Sequence, residues 1–198
     1  MRRRVAALIF ALCFVVPASA GAHLATFGSW RVTRDYLGKL FPGANHFLVK
    51  KHQFDDKQVA RIEKKLGFDL YPEDRTPTFY VAVAKKGGKK KFLGVAMFVD
   101  PRVKPKILDG AALRLEVGVA VDARGHIARM RVFDYRGDLA LTKPKFLDQF
   151  HGMLLDDEFD LKKNDHLHAV SGEEKESQLV ADAGREALYL MKISLGRH

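Results

Sequence analysis

The chain has 198 residues, which suits one domain with a sizeable core. Its formal charge of +10 becomes +7 once Arg2, Arg3 and Arg4 are set aside, and a basic balance without a nucleic-acid-binding motif points away from nucleic acid. The single cysteine, Cys13, lies in the apolar start of the chain, so the residues after it exclude disulfides, thiolate metal sites and c-type haem attachment.

Residues 1–20 open on three arginines, continue through an apolar run from Val5 to Val16 and close on Ala18-Ser19-Ala20. That is the order of a secretory signal peptide, with cleavage expected after Ala20 and a retained anchor as the alternative. The run is too short to span a bilayer comfortably. The expected organisation is a signal peptide over residues 1–20 and one exported domain, periplasmic or extracytoplasmic, over residues 21–198.

Trp30, Leu37, Leu40 and Phe41 fall near helical spacing and predict a short helix stopped by Pro42-Gly43. Residues 53–67 predict a second helix. Asp55 and Gln58 have capping-box spacing, Phe54 and Val59 can staple the cap, Val59, Ile62 and Leu66 make the apolar face, and Gly67 stops it. Residues 78–84 and 92–99 read as paired strands joined through Gly87-Gly88, with Lys85, Lys86, Lys89, Lys90 and Lys91 flanking the turn. Those lysines suit an anionic membrane surface or an acidic partner, or else a hairpin tip charged against aggregation. Residues 100–110 read as a loop. Residues 113–121 and 126–135 predict a second hairpin turning at Asp122-Ala123-Arg124-Gly125. Strands followed by helices, without βαβ alternation, give an α+β fold: one antiparallel sheet of two or more hairpins, covered on one face by helices, with a long C-terminal helix.

After Pro144, a short amphipathic helix would bury Phe146, Leu147, Phe150 and Leu154. A strand-like segment then reaches Ala169-Val170, and Ser171-Gly172 turns the chain into the terminal helix. Val180, Ala183, Gly184, Ala187, Leu188 and Met191 form that helix's apolar stripe. A strand passing through a Ser-Gly corner into a helix N-terminus offers free N–H groups and the positive end of a dipole to an anion. The same residues also predict a capping box, with the Ser171 hydroxyl on the Glu174 N–H and the Glu174 carboxylate on the Ser171 N–H. His166 and His168 alternate on one strand face and could ligate a metal with Asp165, but the spacing fixes no third ligand, so solvated histidines are expected and no metal is assigned. No Ser-His-Asp order, G-x-S-x-G elbow or paired carboxylates is present, and nothing demands a turnover enzyme.

Phe146–Phe150 reads F-L-D-Q-F, and from Ala169 to Ser177 the chain reads A-V-S-G-x-x-x-x-S; upstream stand F-P-G-A at 41–44 and Tyr135-Arg136. Taken in this order, the motifs resemble the FMN-binding domain family of the RnfG/NqrC type, and in particular its exported single-domain members. In that family the corner reads Ser-Gly-Ala-Thr and the threonine is esterified to the phosphate of FMN. Here Ser171 and Gly172 match, while Glu173 and Glu174 replace the last two positions. The resemblance therefore implies FMN held without a covalent link by Ser171, Gly172, Glu174 and Ser177, with Tyr135 stacking on the ring and Arg136 pairing the phosphate. It also implies electron transfer with a redox partner protein or a membrane electron-transfer complex. Glu173, Glu174 and Glu176 oppose a phosphate dianion at the corner by simple Coulomb repulsion. The alternative is a flavin-free, basic exported interaction or accessory protein that keeps only the fold.

Overall fold

The computed structural model describes residues 30–70, 72–101, 107–108, 111–112, 115–133, 135 and 137–196; the expected signal peptide lies outside them. The elements are α1 (Trp30–Leu40), β1 (His46–Lys51), α2 (Asp56–Leu66), β2 (Thr78–Lys86), β3 (Lys89–Val99), β4 (Ile107–Leu108), β5 (Ala111–Ala112), β6 (Glu116–Asp122), β7 (Ile127–Phe133), α3 (Pro144–Leu147) and α4 (Glu174–Ser194). One antiparallel sheet runs in the order β1-β2-β3-β6-β7, and β4 pairs only with β5. The α+β architecture with a long C-terminal helix is thus present.

Period-two alternation divides the sheet into two faces. Val95, Met97 and Val99 of β3, with Val117, Val119 and Val121 of β6 and Met130 of β7, join the larger core beneath α2, α3 and α4. α4 approaches closely because Gly184 has no side chain: a Cβ there would come within 3.1 Å of Met130 Sδ. Tyr80, Ala96, Phe98, Ala120 and Phe133 point the other way and pack under Leu37, Leu40 and Phe41 from α1 and its end. Helices therefore cover the expected face, and α1 adds a smaller cover on the opposite one. A Cβ on Gly118 would meet Phe133 Cε2 at 2.6 Å and Leu40 Cδ1 at 3.0 Å, so this glycine sets how closely α1 approaches β6.

The ends of α2 follow the sequence signals. Asp55 Oδ1 accepts from Gln58 N at 2.8 Å, Gln58 Oε1 accepts from Asp55 N at 3.0 Å, and Gly67 takes the left-handed conformation at φ 83. Both hairpin turns also fall where expected, with Gly87 and Gly88 at φ 55 and 76 and Gly125 at φ 96.

One strand, β1, was not read from the sequence, β4 falls inside the expected 100–110 loop, and two further local expectations fail. β1 carries H-F-L-V-K-K without clean alternation; its place is given by pairing to β2, and Leu48 and Val49 remain 45% and 48% exposed. Residues 167–170 form no strand, because a side chain serves that backbone: Gln149 accepts from His168 N at 2.7 Å and donates to His168 O at 3.0 Å. Leu154 is 41% exposed, since α3 passes into a 3-10 turn at Asp148–Phe150 and Gly152, at φ 85, turns the chain before the helical face reaches it. Phe146, Leu147 and Phe150 are buried as expected.

Candidate functional site

The Ser171-Gly172 corner is a turn rather than the end of a strand. Gly172 sits at φ 84, where an L side chain would be strained, and directs the chain so that α4 begins at Glu174. The N-cap is Glu173, with no side-chain hydrogen bond onto the helix, so the expected cap at Ser171 is not formed; Ser171 is exposed. The carboxylate of Glu174 does turn back, but to Gly172, whose N–H donates to Oε1 at 2.9 Å. The N–H groups of Gly172 and of Glu174 itself hold this carboxyl below its ordinary value.

Several other groups of the corner are also engaged. Ser177 is fully buried, and its Oγ accepts from Val170 N at 2.9 Å. Glu173 N donates to Val170 O at 3.0 Å, and Ser177 N donates to Glu173 O at 2.8 Å. Tyr135 arrives from beyond the end of β7, and its hydroxyl donates to Glu173 Oε2 at 3.2 Å. Burial, then the charge of Glu173, its hydrogen bond, and the charges of Glu176 and Asp138 all push the Tyr135 phenol upward. Glu173, Glu176 and Asp138 thus place negative charge beside this phenol.

The structure thus brings Ser171, Gly172, Glu174, Ser177 and Tyr135 into one neighbourhood, joined through Glu173, which was not among the sequence-selected site residues. Arg136 lies outside the described residues. Asp148 Oδ1 lies 3.6 Å from Arg131 Nη1, and Asp138 Oδ1 accepts from Ala140 N at 2.8 Å. His151 Nδ1 lies 3.0 Å from Ala128 O, while His166 and His168 are exposed. Among the described residues no group of three metal-ligating side chains assembles, and no helix is long and apolar enough to cross a membrane.

A second feature lies at the other end of α4, roughly 25 Å along its axis. A cleft of about 260 Å³ opens between β3, the β6–β7 turn, the loop after α3 and the last turns of α4. Val95, Val121, Leu188 and Met191 line it, Phe92, Leu154 and Leu195 lie partly exposed around it, and Arg124 and Lys192 stand beside them. Sequence reading missed it because the walls come from segments separated by up to about a hundred residues, with no shared motif.

No protein-family model matches this chain, and no match was found among curated proteins.

Proposed function

We propose that this chain is an exported, flavin-free accessory protein that acts through a binding surface, and that its resemblance to FMN-binding domains reflects a retained fold with a closed phosphate corner. The observation that carries this reading is the engagement of the corner by its own acids. The Glu174 carboxylate takes the Gly172 N–H and the Glu173 carboxylate takes the Tyr135 hydroxyl. A phosphate dianion would have to displace both carboxylates and sit beside their charge.

A second reading, non-covalent FMN in electron transfer, is favoured by one specific contact: Tyr135 meets the corner through Glu173, so two motifs distant in sequence share one place. Titration of FMN with the purified protein, followed by flavin fluorescence, separates the two. The flavin-free reading expects colourless protein and no saturable quenching; saturable quenching by the wild type overturns it in favour of electron transfer. In Glu173→Ala/Glu174→Thr, the flavin-free reading expects FMN affinity to rise by at least about tenfold as the corner's negative charge is removed.

A further inference from the structure

We propose that the lysine hairpin and the apolar cleft beside it form one docking face for an anionic phospholipid bilayer. The inference rests on the flavin-free reading, for which it names the partner surface.

The hairpin projects beyond the rest of the sheet. β1 pairs with β2 only as far as Val83, opposite His46, and β6 pairs with β3 only as far as Gly94, opposite Asp122. There Lys85, whose backbone N–H and C=O are held by the Asn45 side chain, stands directly opposite Lys90, and past it Lys86 stands opposite Lys89. Like charges facing each other across a ribbon repel. None of these lysines makes an ion pair among the described residues. Beyond β1 and β6 both strands of the ribbon are edges, so these lysines also shield it from further pairing. An anionic surface turns the repulsion into attraction.

The apolar part adjoins the same face. A β-bulge opposite Ala82-Val83 places Phe92 across from Val83 rather than continuing the β3 alternation, and Phe92 enters the wall of the cleft. By strand alternation Lys90 and its opposite Lys85 share the face of Phe92. Phe92, Leu154 and Leu195 are 42%, 41% and 49% exposed, and all three line this one cleft. Arg124 and Lys192 stand beside them with Asp156, while Asp122 is occupied by the N–H groups of Arg124 and His126. An acidic protein would satisfy the lysines and leave the apolar rim in water. A bilayer interface takes both, with headgroups on the cations and acyl chains against the apolar rim.

The test is cosedimentation of the full chain with phosphatidylglycerol-rich vesicles and with phosphatidylcholine vesicles, at low and high salt. The contrast between variants carries it, because the apolar start of the chain is common to all of them. Lys85→Glu/Lys90→Glu is expected to lower partition onto the anionic vesicles by more than about tenfold. Phe92→Ser/Leu195→Ser is expected to lower it several-fold; Leu195→Ser alone, at an exposed position past the last helical turn, keeps this arm readable if the double variant unfolds. Unchanged partition of the lysine variant overturns the proposal. Capture of the wild type on immobilised polyglutamate without binding to anionic vesicles also overturns it and assigns the face to an acidic protein. These failures are distinct from failure of the flavin-free reading, which FMN quenching reports in the absence of lipid.

Discussion

The two ends of α4 use their polar groups in opposite ways. At its N-terminus an acidic turn is closed on itself: backbone N–H groups, two carboxylates, a buried serine and a tyrosine hydroxyl find partners within the fold. At its C-terminus cations face one another across a projecting ribbon beside exposed apolar side chains, and no ion pair joins those cations to the described residues. The end that resembles a ligand site is the one whose groups are already satisfied. A helix N-terminus attracts an anion through its donors and its positive potential, and here Glu174 takes the Gly172 N–H before the helix while the acids of the first turn oppose the potential. Substitutions at the N-terminal end should therefore register as stability, and those at the C-terminal end as binding.

The sharpest way to break this comparison is a pair of serine variants. Ser177→Ala leaves the partly buried Val170 N–H without its acceptor and should lower stability by about 1 kcal/mol in urea or thermal unfolding. Ser171→Ala should be close to neutral, because Ser171 is exposed and caps nothing. If Ser171→Ala costs as much as a lost helix cap and Ser177→Ala does not, the corner is built as the capping box that the sequence suggested.

A smaller effect of opposite sign is expected at the other end. Lys90→Glu places an acid directly opposite Lys85 and should raise stability by about 0.5 kcal/mol at low salt, with the gain shrinking at high salt. A measured loss of stability would mean that the ribbon's lysines already have partners in the folded chain, and the contrast between the two ends would disappear.

The smallest effect is a pH dependence. Because the folded state holds the Glu174 carboxyl below its ordinary value of 4.5, its charge contributes stability that is present above that pH and is lost as the pH falls through the lowered folded value. Glu174→Gln should therefore melt slightly below the wild type at neutral pH, and the two curves should converge as the solution is acidified. A difference that grows on acidification would contradict the Gly172 N–H as its partner.

How much of this was legible depended on how local each signal is. The caps of α2, the two hairpin turns and the stripe of α4 rest on residues a few positions apart, and each appeared as read. The strand read into residues 166–170 failed because Gln149, about twenty residues earlier, supplies the hydrogen bonds a neighbouring strand would have given. The capping box at Ser171 failed because the same spacing fits two starts of the helix, and Gly172 at φ 84 selects the later one. β1 carries no pattern of its own, and β2 decides its place.

By itself the sequence determined the α+β class, the second helix with both its ends, both hairpins and the helix that crosses the sheet. In each case hydrophobic period and turn chemistry act over a few residues and leave few alternatives. Only the tertiary structure decided that Glu173 would receive Tyr135 from across the fold, and that a bulge would turn Phe92 toward Leu154 and Leu195. Those juxtapositions depend on how the strands register and on how closely α4 approaches over Gly184. Both are set by the packing of whole faces, which no short stretch of residues encodes.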